Sequence, residues 1–171
     1  KACHALRFAP DHSVGAGQAD WQPSQPFSKH LINTKETLCA VFCVWGLQQD
    51  VEVTDGSLPG QTVSQIFCSA LPVAYCHFPR AQWKIFARLV LEAAYEATLL
   101  AGLLNAKRGA SNRILLTRLG GGAFGNTDDW IDDALVRAIR IVGNQDLDIV
   151  VVSYETPTRQ FTQRLALTGF L

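Results

Sequence analysis

Four glycines fall within six positions at Gly120-Gly121-Gly122-Ala123-Phe124-Gly125, followed by Asn126 and, one residue on, the paired carboxylates Asp128 and Asp129. The apolar run Asn112 to Leu119 leads into the glycines, and a helix-like pattern begins just after them. A strand, a Gly-rich loop and a helix start in that order make an anion site. Glycine lets the main chain approach a ligand closely and adopt positive φ. The helix start adds free N–H groups and the positive end of its dipole. The predicted chemistry is the cradling of a phosphate or pyrophosphate. A plain tight turn is the competing reading, but such a turn rarely needs so many glycines. Phe124 reads either as a ligand cover at the loop tip or as core. Asn126 reads either as a ligand contact or as a helix N-cap. Asp128 and Asp129 are first-turn acids stabilised by the dipole, or catalytic carboxylates that orient a hydroxyl or a water.

A second chemical cluster lies in the polar stretch Asp11-His12-Ser13-Val14-Gly15-Ala16-Gly17-Gln18-Ala19-Asp20-Trp21. If it folds over the same pocket, Asp20 and Asp11 become the catalytic carboxylates, and Gly15, Gly17, Gln18 and Trp21 become ligand contacts. Otherwise the two acids are loop residues making Asx-turns. Trp21 either stacks on a base or anchors the loop. His12 is available for acid–base work, but a lone loop histidine is usually just solvated.

The elements that must position these residues follow from periodicity and turn chemistry. Residues 1–27 are loop-rich by their Gly, Pro, Ser, Asp and Gln content, with a short strand over Leu6 to Ala9. Residues 28–48 read as a helix, with Asn33 and Glu36 as a capping box and Gly46 near its end. The β-formers Val41 to Trp45 give a buried strand as the competing reading. Val51 to Thr54 alternates as a strand, and Val63 to Val73 is a second strand region. Pro72 and Pro79 bracket a loop. From Ala81 to Ala106 apolar residues recur at three- and four-residue steps, which predicts one long helix closed by Lys107-Arg108-Gly109. Ile114 to Leu119 is the strand before the glycines, and Asp128 to Val142 is the helix after them. Asp133 and Arg137 are expected to face outwards as an i,i+4 pair on that helix. The unbroken apolar strand Asp148 to Tyr154 suits a parallel sheet covered on both faces. Strand, helix, strand, helix, strand is the order of an α/β sheet with crossover helices. In such sheets ligands sit at the carboxyl ends of strands, which is where the glycines lie.

The totals narrow the function classes. The chain has 171 residues, which suits one domain spanning 1–171. Fifteen basic and fifteen acidic residues cancel, which argues against a dedicated nucleic-acid binder. The expectation is also that no stretch approaches the roughly 18 apolar residues of a membrane span. The five cysteines, Cys3, Cys39, Cys43, Cys68 and Cys76, are odd in number and lack a Cys-x-x-Cys pair. They read as buried reduced thiols, which points to an intracellular protein. The histidines show no metal spacing with them, so no metal is expected. No Met occurs, even at position 1, so the chain reads as a processed or excised piece, and no complete fold is assumed at its N-terminal edge.

Gly120-x-Gly122-x-x-Gly125 also satisfies the dinucleotide fingerprint, with Glu155 beyond the next strand as a ribose-binding acid. The motif comes late, however, with no linker before it, so a Rossmann-type dinucleotide-binding fragment is the lesser reading. Residues 51–155 instead resemble the later part of a macrodomain, the ADP-ribose-binding α/β/α fold. Val51-Glu-Val-Thr-Asp-Gly-Ser-Leu-Pro59 is similar to that family's strand, turn and Leu-Pro step. Gln65-Ile-Phe-Cys-Ser-Ala-Leu-Pro72 is similar to its following strand, and the long helix comes next in the same order. Leu115-Leu-Thr-Arg-Leu-Gly-Gly-Gly-Ala-Phe-Gly-Asn126 resembles its second phosphate loop, where a small-aromatic-Gly step wraps the diphosphate and distal ribose. The wording of this loop, with Trp130-Ile131 soon after, is similar to a divergent branch that includes bacterial-effector hydrolases acting on ADP-ribosylated arginine. Upstream, the family's Asn-rich strand end and first Gly-Gly-Gly loop are absent in their usual form, and Val14 to Trp21 stands where they belong.

The resemblance implies a single α/β domain with a three-layer α/β/α, macrodomain-like mixed sheet. It implies ADP-ribose as ligand, held by Gly120, Gly121, Gly122, Ala123, Phe124, Gly125 and Asn126, with no cofactor required. It further implies hydrolysis of ADP-ribose from modified protein side chains, through Asp20 or Asp11 with help from Asp128 or Asp129. A carboxylate there would stabilise an oxocarbenium-like state or activate water. The implied partner is ADP-ribose or an ADP-ribosylated protein, bound by a monomer without nucleic acid or membrane. The implied location is the cytoplasm, or a host cell if the protein is a delivered effector. A non-catalytic ADP-ribose reader is the alternative.

Overall fold

The computed structural model describes residues 4–8, 46–54, 59–143, 145–153 and 156–166. They form an α/β arrangement: strands β1 (His4–Phe8), β2 (Gly46–Glu52), β3 (Thr62–Phe67), β4 (Arg113–Thr117) and β5 (Asp148–Ser153), with helices α1 (Arg80–Lys107), α2 (Asp128–Val142) and α3 (Arg159–Ala166). Short 3-10 turns occupy Val73–Tyr75 and Gly122–Phe124.

The mixed sheet has the order β1-β5-β4. β4 and β5 run parallel with α2 as their crossover, whereas β1 lies antiparallel to β5, with Leu6 opposite Val151. A parallel pair needs a crossover of a dozen or more residues, and α2 supplies it. β3 does not join this sheet among the described residues; it pairs with β2 as an antiparallel hairpin with a bulge between Gln48 and Val51. The single α/β sheet expected from the second half is therefore divided.

One core joins the helices to the mixed sheet, and neither β2 nor β3 contributes a residue to it. α1 buries Ala87, Leu91, Ala94, Tyr95, Leu99 and Leu103, and α2 buries Ile131, Ala134, Leu135, Ala138, Ile139 and Val142. These stripes at helical spacing meet Ile114 and Leu116 of β4, Ile149 and Val151 of β5, and Phe161 and Leu165 of α3. By length and composition α1 is apolar enough to cross a membrane, its richest window reaching a mean hydropathy of 1.3. That corrects the expectation that no stretch comes near such a span. The helix nevertheless spends its apolar stripe on α2 and β4, and its flank carries Arg88, Glu92 and Glu96 in ion pairs.

Several local expectations are corrected. Gly46 to Gln48 belong to β2 and not to the end of a helix; the rest of 28–48 lies outside the described residues. The strand read over Val63 to Val73 stops at Phe67, and Val73 opens a 3-10 turn instead. The strand before the glycines ends at Thr117, not Leu119. Asp133 and Arg137 do not pair with each other: Asp133 binds Arg164 at 2.6 Å, and Arg137 binds Glu96 at 2.7 Å. Each side chain reaches a neighbouring helix, a geometry that spacing along one helix does not encode. β5, the strand expected to be covered on both faces, has no exposed residue, whereas in β4 Ile114 and Leu116 are buried but Leu115 is 65% exposed.

The end of the sheet away from the glycines is held by charge. Asp148, at the start of β5, accepts from Arg7 Nε at 2.6 Å and from Arg113 Nε at 2.7 Å. The Arg7 hydrogen bond, then that of Arg113, holds the Asp148 carboxyl below its ordinary value, against the opposing effect of desolvation. A folded-state pKa below the unfolded value of about 3.9 contributes stability above that pH, and the contribution is lost as pH falls through the folded pKa. Asp148→Asn is expected to cost about 1–2 kcal/mol at neutral pH, with both arginines largely solvated. The difference from wild type should shrink below about pH 4; urea unfolding at pH 7 and pH 3 measures both.

Candidate functional site

The glycine stretch lies at the carboxyl end of β4, as the sequence predicts, and runs directly into α2. Gly120, Gly122 and Gly125 have φ of 77°, 63° and 74°, all left-handed. The loop closes on itself: Asn126 N–H donates to Gly120 O at 3.1 Å and Gly125 N–H to Gly122 O at 3.0 Å. The three left-handed glycines have different reasons. A Cβ on Gly120 would lie 2.3 Å from Ala70 Cβ and 2.7 Å from Asn126 Nδ2. A Cβ on Gly125 would lie 2.8 Å from Ala74 Cβ. A Cβ on Gly122 would meet nothing within 4 Å. Gly120 and Gly125 are therefore demanded by packing, whereas the tip at Gly122 faces open space.

The packing partner of the loop is the segment Ala70 to Tyr75, which sequence reasoning treated as a strand end and a loop. Asn126 Nδ2 donates to Leu71 O at 2.8 Å and to Gly120 O at 3.0 Å. Those two acceptors fix the amide orientation and leave Asn126 Oδ1 buried with no partner among the described residues. Thr127 Oγ1 is likewise buried and unpaired. Thr127, not Asn126, occupies the N-cap of α2, and it makes no side-chain cap hydrogen bond. The N-cap alternative for Asn126 is thus replaced by a bridge between two loops. Phe124 is half-buried against the core, and its ring meets Tyr75 edge-on at 6.2 Å and 72°.

Two supports behind the loop were not read from the sequence. Tyr95 of α1 donates its hydroxyl to Thr117 O at 2.8 Å and accepts from Leu119 N–H at 2.7 Å, pinning the strand end. Burial pushes its phenol well above the ordinary value, so it stays a donor. Tyr95→Phe is expected to lower stability by about 1–2 kcal/mol, since both backbone groups lose a partner; chemical denaturation checks this.

Arg118 is the other support. It binds Asp132 at 2.5 Å and Asp128 at 2.7 Å, and its guanidinium lies 5.5 Å from the Phe161 ring centroid. Burial works against the Arg118 charge, but the hydrogen bonds of Asp128 and Asp132 outweigh it and raise its pKa. Asp128 is therefore a partner of a cation and not an isolated anion beside the loop. The i,i+4 spacing of Asp128 and Asp132, with a base two residues before Gly120, is the sequence signal that could have found this cluster. Asp129 is exposed and makes no ion pair with another described residue.

The other predicted site residues, Asp11, Gly15, Gly17, Gln18, Asp20 and Trp21, lie outside the described residues, as do His12 and Glu155. No group of three or more His, Cys, Asp or Glu converges as a metal set among the described residues. Cys68 and Cys76 are free and half-buried, and burial raises the Cys68 thiol against the lowering effect of the Thr98 hydroxyl. An open groove of about 470 Å³ lies between α1 and α2, away from the loop, and is lined by Arg88, Glu92, Asp133, Arg137 and Arg140 among others. Four of these charges are already committed to ion pairs, so the groove is a charged helix–helix seam.

Chemically, the arrangement at the end of β4 offers an open left-handed loop tip, the first turn of a 15-residue helix, and two buried side-chain oxygens with no partner among the described residues. First-turn N–H groups have no intrahelical acceptor and carry the positive end of the dipole. Comparisons with protein-family models, with curated proteins and with solved structures found no match to this chain.

Proposed function

We propose that this chain is a macrodomain-like ADP-ribose-binding protein and that it hydrolyses ADP-ribose from modified protein side chains. The observation that supports this best is Gly122: a left-handed glycine that no internal contact requires, at the tip of a loop opening onto the start of α2. Neighbouring atoms leave no room for a Cβ at Gly120 and Gly125, whereas at Gly122 only the left-handed backbone favours glycine and the space before it is open. Backbone N–H groups there would hold the diphosphate, each charge-assisted hydrogen bond contributing roughly 1.5–3 kcal/mol. Several of them give micromolar binding after the costs of association. Phe124 would flank the distal ribose, and Asn126 Oδ1 and Thr127 Oγ1 could accept from ligand hydroxyls or from water.

Asp20 or Asp11, with Asp128 or Asp129, would supply the carboxylate that stabilises an oxocarbenium-like state or activates water. Pairing of Asp128 with Arg118 reduces its repulsion of a bound diphosphate. Asp129 is the freer of the two first-turn acids. The second reading, a non-catalytic reader, differs only in lacking this step. Calorimetry with ADP-ribose and with NADH tests the binding: heat with NADH and none with ADP-ribose would reject both readings in favour of a dinucleotide-binding fragment. Release of ADP-ribose from modified arginine or glutamate separates hydrolase from reader.

A further inference from the structure

The start of α1 stands clear of the core. From His77 to Phe86 every residue but Trp83 is exposed, and Trp83 packs partly against the core and moors the first turn. Three large apolar side chains lie on this tip: Phe78, Ile85 and Phe86 are 65%, 85% and 48% exposed. Isolated exposed apolar residues need no explanation; three gathered at one helix start form a patch. The charge around them is of one sign. No Asp or Glu occurs between Asp55 and Glu92, whereas Arg80 and Lys84 stand among the apolar residues at i,i+4 spacing. Neither cation forms an ion pair with a described residue. The first acid further along the helix, Glu92, is already paired with Arg88 and Arg137.

We propose that the start of α1 is a docking surface for an anionic lipid bilayer, with Phe78, Ile85 and Phe86 entering the headgroup region and Arg80 and Lys84 meeting the lipid anions. Exposed aromatic and aliphatic side chains beside cations are the composition of an interfacial membrane contact. Long cationic side chains lay their stems along the apolar surface while their charges reach the headgroups. Two other occupants fit less well. A second copy of this chain would bring like charges together. A protein partner needs a hollow shaped to these protruding side chains, whereas a fluid bilayer takes them without one. The contact is peripheral, because the rest of α1 keeps its apolar stripe in the core. The macrodomain resemblance implies no membrane partner, and this surface departs from it.

Sedimentation of the full chain with vesicles of phosphatidylcholine, with and without phosphatidylserine, decides the matter. The expected result is binding to the phosphatidylserine vesicles that weakens as salt is raised, with little binding to phosphatidylcholine alone. Replacing Phe78→Ser and Ile85→Ser together should weaken binding at least about tenfold, through lost apolar contact. Lys84→Glu should weaken it about tenfold through charge, and Lys84→Arg should leave it unchanged. All these positions are exposed, so the thermal unfolding of each variant should match that of wild type. No binding to phosphatidylserine vesicles at low salt overturns the inference. Equal binding of wild type and the double variant also overturns it, since the contact would then lie elsewhere. So does equal binding to both kinds of vesicle, since the cations would then contribute nothing.

Discussion

Gly120→Ala is expected to destabilise the protein by about 2–5 kcal/mol, the largest single-residue effect outside the deep core. Two costs add. A non-glycine residue at the φ of 77° adopts a left-handed backbone, costing about 1–2 kcal/mol. The new methyl must also enter space already filled, 2.3 Å from Ala70 Cβ and 2.7 Å from Asn126 Nδ2. Overpacking of this kind costs about 1–3 kcal/mol. Relief by moving Asn126 would break its bonds to Leu71 O and Gly120 O. For a chain of this length each kcal/mol shifts Tm by roughly 2–4 °C, so a fall near 10 °C is anticipated by calorimetric scanning. A Tm equal to that of wild type would mean that the 70–75 segment yields freely and does not lock the loop.

Gly122→Glu should behave in the opposite way, with a large loss of function and a small loss of stability. The added Cβ meets nothing within 4 Å, so only the left-handed backbone cost of about 1–2 kcal/mol remains. The carboxylate, however, projects from the loop tip that would hold the diphosphate. It blocks the approach of the ligand to the backbone and sets like charge against it. Loss of even one or two charge-assisted hydrogen bonds implies an ADP-ribose affinity lowered by roughly a hundredfold or more. Calorimetry on the folded variant gives the answer, and an unaltered Kd would falsify the phosphate-cradle reading. The pair of substitutions separates scaffold from site within one loop, because Gly120 is required by what lies behind it, whereas at Gly122 only the left-handed backbone favours glycine.

The contrast between these glycines also marks how far the sequence could be read. Periodicity placed α1 within a residue of each end and α2 over its full observed span. Both helices follow a local pattern that tertiary contacts reinforce. Strand ends were less legible. Val63 to Val73 carries apolar content throughout, but the ladder with β2 ends at Phe67, and the turn at Val73–Tyr75 answers to the glycine loop. The supposed helix end at Gly46 is strand because β3 offers hydrogen-bond partners to it, and pairing across a hairpin overrides a helix stop read from one glycine.

Charge partners were the least legible. Asp133 and Arg137 have the spacing of a helical pair, yet Arg88, Arg164, Glu92 and Glu96 on neighbouring helices stand closer or compete. Arg118 carries no motif, and its role depends on α2 and α3 arriving together around it. The position of Tyr95 under the end of β4 is equally invisible in sequence, since nothing in the helical spacing singles it out.

What the sequence by itself determined is the local grammar: the apolar stripes of α1 and α2, the apolar strands β4 and β5, and a four-glycine turn between a strand and a helix. Each is set by residues near one another in the chain, through side-chain period or backbone freedom. What only the tertiary structure decided is which glycine serves packing and which faces open space. That depends on Ala70 and Ala74, some fifty residues upstream in the chain, because a Cβ clash is a fact about neighbours in space.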